Sequence, residues 1–491
     1  MLFRLKASIL SALRIVSLVL PCSGTMAQAQ DFDRNGLDSW LSSEQALAAT
    51  KISANLLGNG AVLASPSRSG PNYYFHWTRD AALTIDVVLD LYVASNNPED
   101  RAAYLQQAQN YVDFSLKIQS QPTLSGSIQD HFANFGEPKF EVGGVGFSQP
   151  WGRPQTDGPA LRAVSLMRIY KLAQQRLDAQ RQFSASMTGM KNALLADLEY
   201  TAYHWRDQGY DLWEEVRGQH FYNAMVQHRA LVAGAAFVNT YGGQGDARRY
   251  LAEAAALETH LARFWDPGRG YFVETIDRSG GLDYKSSNLD SGVVLASLHA
   301  QGEQSYLSPT DDRILATAHA LRSTFAALFP INSVSRDRAQ HQLAPAIGRY
   351  PEDRYDGVGS SQGHPWFIAT AALAELSYRA AALYAATDRI LITAQNEAFF
   401  ADLAGVGQGL HRGDTLTRGD ATFRNVLDAL LRSGDEYLAR IRFHSAIGGE
   451  LTEQIDRYTG YERGAIDLSW SYASLFKAVQ ARSQLILVLQ Q

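Results

Sequence analysis

Residues 72–92 read NYYFHWTRDAALTIDVVLDLY, an aromatic and charged segment that runs directly into a helical pattern. Within it, Leu83, Val87 and Leu91 recur at intervals of four, and the apolar residues between them extend the same face. Apolar side chains at spacings of three and four predict a helix with one face in a core. The stretch therefore joins a polar, aromatic loop to a core helix, and this arrangement recurs along the chain.

The same periodicity dominates the rest of the sequence and predicts about twelve or thirteen helices with very little strand. The predicted helices cover residues 43–57, 81–92, 99–118, 158–179, 184–205, 220–240, 247–263, 288–300, 310–328, 363–385, 388–403, 420–444 and 468–488. The pattern indicates an all-α fold.

Five of the segments between these helices are long and rich in Gly, Pro and aromatic residues: 121–157, 206–219, 265–287, 330–362 and 446–467. Loops longer than ~12–15 residues inside a compact domain are usually functional or disordered. Their aromatic content argues against disorder. No linker rich in Ser, Thr or Pro divides the chain, so we expect a single domain over residues 30–491, with no separate carbohydrate-binding domain.

The composition limits the kind of partner that the protein binds. The net charge is −6, and the 44 basic residues are scattered rather than grouped. A nucleic-acid-binding protein would need a basic face or stripe. A neutral ligand rich in hydroxyl groups fits this composition better.

The first 29 residues have the features of a secretory signal. Basic residues precede an apolar stretch at 15–20, and Ala27-Gln28-Ala29 has the small-x-small form of a cleavage site. The apolar stretch is far shorter than the ~20 residues needed to span a bilayer. Removal of the signal would also remove Cys22, the only cysteine, and leave a chain without disulfides. We expect a secreted or periplasmic monomer with no stable membrane association.

The segment Tyr210-Asp211-Leu212-Trp213-Glu214-Glu215-Val216 places three carboxylates within five residues. Such a pair of glutamates is ordinarily a solvated turn, but the aromatic neighbours favour partial burial. Burial and neighbouring negative charge raise a carboxyl pKa, which a proton donor to a leaving oxygen requires. A second candidate carboxylate, Glu453, lies in the loop before the final helix.

Two further segments have the composition of a sugar-binding site. Residues 72–80 combine five aromatic or imidazole rings with an Arg-Asp pair, and residues 150–159 form a loop with Trp151 and Arg153 before a helix. Pyranose rings stack their apolar faces on Trp and Tyr, and Arg and Asp bind their hydroxyl edges with charge-assisted hydrogen bonds. Taken singly, each segment is equally compatible with core aromatics and a structural salt bridge.

Together these segments closely resemble the glucoamylases, glycoside hydrolase family 15. The matching stretches, in order, are YFHWTRD, FGEPKF, QPWGRPQTDGPALRA, YDLWEEV with AMVQHRALV, RYPEDRYDG with GHPWF, and TEQ with DLSWSYASL. They extend from Asn72 to Tyr472, about four-fifths of the chain. The resemblance implies an (α/α)6 barrel, with inner and outer rings of six helices and a funnel-shaped site at one end.

The resemblance also implies the chemistry. Glu214 would be the general acid and Glu453 the general base that activates water, in an inverting, exo-acting hydrolysis of starch-like α-glucans that releases β-glucose. This mechanism needs no metal and no organic cofactor. The implied substrate-binding residues are Tyr73, Trp77, Arg79, Asp80, Trp151, Leu212, Trp213, Glu215, Arg349, Trp366 and Trp470. The implied supporting residues are Lys139, Trp205, Asp211 and Tyr355.

Several alternatives remain open at this stage. A relative that acts on dextran or trehalose would share the same motifs, and so would a non-catalytic carbohydrate sensor. Fungal members of the family carry disulfides and often a starch-binding domain, which this sequence lacks. Residues 359–363 match the G-x-S-x-G motif of serine hydrolases, but a polar loop precedes them where that motif needs a strand.

Overall fold

The computed structural model describes residues 36–243 and 245–490. The predicted signal at residues 1–29, with Cys22, lies outside the described residues. Within the described ranges, no helix combines the length and the apolar character needed to cross a membrane.

Helices account for most of the described chain. In order they are α1 (Leu37–Ala54), α2 (Thr78–Ala94), α3 (Pro98–Gln119), α4 (Asp157–Gln175), α5 (Leu177–Phe183), α6 (Met187–His204), α7 (Phe221–Tyr241), α8 (Ala247–Leu261), α9 (Gly292–His299), α10 (Asp312–Leu328), α11 (Phe367–Thr387), α12 (Glu397–Ala401), α13 (Ala421–His444) and α14 (Ser469–Leu489).

Short strands lie in the connections. They are β1 (His76–Trp77), β2 (Lys139–Phe140), β3 (Gly209–Tyr210), β4 (Val216–His220), β5 (Trp265–Asp266), β6 (Tyr271–Phe272), β7 (Thr275–Gly281), β8 (Arg389–Leu391), β9 (Thr415–Thr417), β10 (Gln454–Ile455) and β11 (Glu462–Arg463). All pairings are antiparallel: β3-β4-β7 form a three-stranded sheet, and β1-β2, β5-β6, β8-β9 and β10-β11 form two-stranded ones.

Six helices close an inner ring. Helices α2, α4, α7, α9, α11 and α14 each pack against the next, and α14 returns to α2. They are apolar on nearly all sides, which is typical of helices surrounded by other helices. Helices α1, α3, α6, α8, α10 and α13 pack outside them. The protein is therefore an (α/α)6 barrel, as the resemblance implied.

Ion pairs join the inner helices around the barrel axis. On α2, Asp86 and Asp90 each lie 2.6 Å from Lys477 Nζ of α14, and both also pair with Arg168 of α4. Burial alone would raise the pKa of Asp86, but Arg168 and Lys477 lower it well below its usual range. The charges on α2 are thus neutralised by its two neighbours in the ring.

The predicted helix at residues 388–403 is wrong. Asp388 has a left-handed conformation (φ 54°) that ends α11, and β8 follows, with Ile390 buried between two exposed neighbours. Only the five residues of α12 are helical in this stretch. The predicted helix at 158–179 also breaks, because Arg176 is extended between α4 and α5.

The remaining predicted helices each overlap an observed helix, with ends that differ by a few residues. Two of the predicted long loops, 206–219 and 265–287, contain most of the strands β3 to β7, which helical periodicity could not reveal.

A buried ion pair between α4 and α6 provides a stability test. Arg162 and Asp197 are almost fully buried and form two hydrogen bonds, of 2.9 Å and 2.6 Å. We expect Asp197→Ala to lower the free energy of unfolding by about 3–5 kcal/mol, because it leaves Arg162 charged and unpaired in the interior. Urea denaturation followed by circular dichroism measures this. The double variant Arg162→Met/Asp197→Leu should regain most of the loss, and a single variant as stable as the wild type would contradict the interpretation.

Helix α1 provides a pH test, since Glu44 is only 2% exposed and faces Glu450 and Glu462 of the 446–467 loop. Burial and then repulsion from these carboxylates raise the pKa of Glu44 from 4.5 to about 8. The folded state thus keeps a proton that the unfolded state releases, so the free energy of unfolding should fall as the pH rises from 4.5 to 8. In urea denaturation, Glu44→Gln should be more stable than the wild type at the alkaline end only. The exposed control Glu99→Gln should leave the slope unchanged, and an unchanged slope in Glu44→Gln would refute the assignment.

Candidate active site

A cavity of about 290 Å³ opens at the end of the barrel where α2, α11 and α14 begin. All of the residues predicted as catalytic or substrate-binding line it: Tyr73, Trp77, Arg79, Asp80, Trp151, Leu212, Trp213, Glu214, Glu215, Arg349, Trp366, Glu453 and Trp470. Ala64, Gly152, Tyr355 and Leu468 complete the lining. Residues distant in sequence are thus brought to one site by loops from different inner helices.

The turn between β3 and β4 presents Glu214 and Glu215 to the cavity. The fully buried Asp211 holds this turn, because its Oδ1 accepts the backbone N–H groups of Glu215 (2.7 Å) and Val216 (2.8 Å). Its own carbonyl accepts the N–H of Glu214 at 2.8 Å. Glu214 has a left-handed backbone (φ 68°), which is rare for a residue with a side chain. The hydrogen bonds of Asp211 stabilise this conformation.

The Glu214 carboxylate is fixed by two residues at the start of α2. Its Oε1 accepts a hydrogen bond of 2.7 Å from the Trp77 indole and lies 3.5 Å from Arg79 Nη2. The side chain of Glu214 keeps 15% of its surface exposed. This carboxyl is therefore held in place while it still faces the cavity.

Arg79 and Asp80 form a buried polar pair beside Glu214. Arg79 donates to Asp157 (2.9 Å) and Gln155 (3.0 Å) at the start of α4. Burial opposes the charge on Arg79, but the neighbouring carboxylates outweigh burial and raise its pKa. Burial also raises the pKa of Asp80 to about 6, although Arg79 acts against that rise. The pair presents a cation and a carboxyl group to a ligand in the cavity.

Glu215 belongs to a second ionic cluster on the same wall. Its Oε1 accepts from Arg349 (2.7 Å), and its Oε2 accepts from the Tyr350 hydroxyl (2.6 Å). Arg349 is also held by Asp353, through contacts of 2.8 Å and 2.6 Å. Burial raises the pKa of Glu215, and Arg349 opposes that rise. The two adjacent glutamates thus have separate partners.

Glu453 is fully buried in the loop before β10. Its Oε2 accepts a hydrogen bond of 3.2 Å from Tyr355, whose hydroxyl is 2.9 Å from that of Tyr73. Burial raises the pKa of Glu453 to about 7, although the two tyrosines act to lower it. Gly464 (φ 78°) lies alongside, and a Cβ there would be 2.3 Å from Oε2, so only glycine leaves room for the carboxyl in this position.

Indole rings form much of the cavity wall. Trp213 stacks with Trp470 at 6.1 Å between ring centroids and lies 5.5 Å from Trp366. Among the described residues, the indole N–H groups of Trp151, Trp366 and Trp470 have no hydrogen-bond acceptor. The wall therefore offers aromatic faces on which the apolar face of a pyranose ring can stack.

Lys139 supports this wall from behind. Its ammonium lies 4.1 Å from the ring centroid of Phe75, 4.1 Å from that of Phe147 and 3.7 Å from that of Trp151. Burial lowers the pKa of Lys139 to about 8. Contact of a cation with several ring faces stabilises the arrangement of the rings. Lys139 therefore lies behind the wall in contact with its rings, and its supporting role stays a prediction.

The other predicted supporting residues lie in different places relative to the cavity. Asp211 holds the Glu214 turn, and Tyr355 lines the cavity. Trp205 lies outside the cavity, and its indole donates to Glu253 of α8 at 2.8 Å. Residues 359–362 are exposed, and Ser361 donates to Asp356. This loop is not the strand-to-helix turn of a serine nucleophile.

Sequence reasoning did not single out four buried residues next to the site: Lys285, Asp290, Tyr350 and Asp353. Tyr350 and Asp353 lie inside the motif RYPEDRYDG, whose Arg349 was predicted, so the motif contained a signal for them. Lys285 and Asp290 lie in and beside the long loop 265–287, where charged residues ordinarily indicate solvent exposure. Nothing in their spacing indicated that both are fully buried.

Comparison with known proteins identifies the family and agrees with the fold. The family model described as glycosyl hydrolases family 15 matches residues 45–480. The chain is 34% identical to the glucoamylase of Blastobotrys adeninivorans, over 87% of this chain and 68% of the relative. It is 33% identical to glucoamylase 1 of Rhizopus oryzae, over 91% and 71%. The solved glucoamylase of Saccharomycopsis fibuligera superposes with a TM-score of 0.83 at 30% identity, covering 93% of this chain and 97% of that one.

Proposed function

Since the chain belongs to glycosyl hydrolases family 15, we propose that it releases β-D-glucose from the non-reducing ends of starch, maltodextrins and related α-1,4-glucans, with slower action on α-1,6 linkages. It is a glucoamylase-type hydrolase of α-glucans. The proposal extends this to an exo-acting, inverting reaction. Its main support is the arrangement of Glu214 and Glu453, two carboxyl groups on different loops that line one indole-walled cavity.

Glu214 is the proposed general acid. Trp77 and Arg79 hold one oxygen of its carboxyl group, and the other oxygen is available to protonate the glycosidic oxygen. Proton transfer to the leaving group accelerates glycoside cleavage because it avoids an alkoxide leaving group. Glu215, fixed by Arg349 and Tyr350, is proposed to bind the leaving sugar.

Glu453 is the proposed general base. In an inverting mechanism the base removes a proton from a water molecule on the face of the ring opposite the leaving group. Tyr355 donates to one oxygen of Glu453, while the other has no hydrogen-bond partner among the described residues and is the proposed proton acceptor. Water then attacks the anomeric carbon as the glycosidic bond breaks, and the product is β-glucose.

Arg79 and Asp80 are proposed to bind the hydroxyls of the terminal glucose, with the backbone of Leu212. Tyr73 is proposed to orient the base or its water through Tyr355. The proposed exo preference is supported by the closed ring of inner helices, with the cavity at one end of it. We further propose that residues 30–491 form a single catalytic domain, exported after removal of the signal at residues 1–29.

The experiment that tests the mechanism follows the anomeric protons of sugar released from maltoheptaose by NMR. We expect early β-glucose from the wild type and losses of ~10²–10⁴-fold in Glu214→Gln and Glu453→Gln, because each lacks a proton-transfer group. The control is Glu450→Gln. Glu450 lies in the same loop as Glu453 but outside the cavity, so this variant should keep wild-type activity.

The possible outcomes separate the alternatives. Early α-glucose would refute inversion and the role of Glu453. No glucose from the wild type would refute the proposed substrate, and dextran and trehalose would then be assayed before a sensor is considered.

The Tyr355 hydroxyl yields a pH test. It donates to the ionised form of Glu453 and lowers the pKa of that carboxyl, so Tyr355→Phe should raise the pKa. Because the base must be ionised, the acidic limb of the kcat/KM profile for maltose should move to higher pH. Tyr458→Phe, at an exposed position outside the cavity, serves as the control. A profile that falls in height without a shift of its acidic limb would contradict this assignment.

A further inference from the structure

Four ionisable side chains meet beneath the turn that carries Glu214: Asp211, Glu274, Lys285 and Asp290. All four are essentially inaccessible to solvent, with Lys285 at 1% exposure and the three acids at 0%. None of them lines the cavity. Buried charges are expensive unless they are paired, so a cluster of this kind directly behind an active site calls for a physical explanation.

The ammonium of Lys285 lies at the centre of the cluster. It forms an ion pair with Asp290 and lies 3.6 Å from Oδ2 of Asp211. It also lies 4.3 Å from the ring centroid of Tyr350. Among the described residues, no other Lys or Arg forms an ion pair with Asp211 or Asp290.

Each of the three residues that Lys285 contacts forms hydrogen bonds with a different part of the site. Asp211 holds the backbone of the turn at Glu215 and Val216. Asp290 accepts the indole N–H of Trp213 at 2.9 Å. Tyr350 donates to the Glu215 carboxylate at 2.6 Å.

We propose that Lys285 is a positioning residue that fixes the turn bearing the acid, the Trp213 ring and the Glu215 carboxylate as one unit on the leaving-group side of the cavity. The assignment rests on the proposed function. Removal of this ammonium would leave Asp211 and Asp290 as uncompensated neighbours, and the side chains that they hold would shift relative to the leaving sugar. Burial and then the Asp290 charge raise the pKa of Glu274 well above its usual range, which favours its neutral form.

The proposal predicts a defect concentrated on the leaving-group side of the site. The proposed partners of the terminal glucose on α2, Arg79 and Asp80, do not belong to the turn, and only the Leu212 backbone is shared between the turn and that glucose. Lys285 contacts neither the pair on α2 nor the proposed base Glu453. A substrate whose leaving group needs no protonation and no sugar-binding subsite should therefore tolerate the loss of Lys285. α-D-Glucosyl fluoride is such a substrate, whereas maltose needs both.

The test measures kcat/KM for both substrates in the wild type and in Lys285→Met. We expect maltose hydrolysis to fall ~100-fold, the effect typical of a displacement near 1 Å, and fluoride hydrolysis to fall far less. Glu214→Gln should change the ratio of the two rates in the same direction. A general structural defect would lower both rates equally and leave the ratio at the wild-type value.

Lys477→Met is the matched control. Lys477 is also a lysine paired with two aspartates, but it lies on the barrel axis outside the cavity. Lys477→Met should lower the stability of the protein without changing the ratio of the kcat/KM values for maltose and the fluoride. If Lys285→Met does not fold, Lys285→Met/Asp290→Asn removes both members of the ion pair, keeps an acceptor for Trp213, and should show the same change in ratio.

The outcomes distinguish the two proposals. A wild-type ratio in a folded Lys285 variant overturns the positioning role. If the wild type hydrolyses neither substrate, the proposed function is what fails. If Glu214→Gln keeps the wild-type ratio, the acid assignment is wrong.

Discussion

Closure of the inner ring is the constraint on which the rest of the structure depends. Each inner helix is packed between two neighbours and backed by the outer ring, so almost every side of it is buried. Polar groups inside the barrel must then be paired, as Arg162 and Asp197 are between the two rings. Along the axis the charges neutralise one another, as Asp86 does with Arg168 and Lys477. At one end, the connecting loops bring Glu214 and Glu453 to the same cavity.

The fold and the cavity were predicted from different kinds of information in the sequence. Core helices such as α2 can be predicted from local sequence, because their apolar spacing follows the helical period. The helix predicted at 388–403 was wrong because the apolar residues of this stretch fit a short strand and a short helix as well as one long helix. The cavity residues were identified through family motifs, whose order along the chain carries more information than any single spacing.

The residues that were not predicted are those whose burial depends on contacts with distant parts of the chain. Lys285 and Asp290 are five positions apart in an irregular stretch, and their burial depends on Asp211 and Tyr350, which are distant in sequence. Local sequence patterns do not encode such contacts, since a lysine in a long loop is ordinarily exposed. Trp205 shows the converse case, because it lies close to a matching motif and yet packs against an outer helix.

The two carboxyl groups at the centre of the site are held by different kinds of force. Charged side chains hold the turn that carries Glu214. Arg79 contacts the Glu214 carboxylate, and Lys285 neutralises the charge of Asp211. Glu453 depends on neutral groups, namely the hydroxyl of Tyr355 and the space left by Gly464. Ion pairs between buried groups require every member to keep its charge, whereas a hydroxyl donor is insensitive to protonation until far into the alkaline range. The position of Glu214, the proposed acid, is therefore tied to the protonation state of its surroundings, and the position of Glu453, the proposed base, is tied mainly to packing.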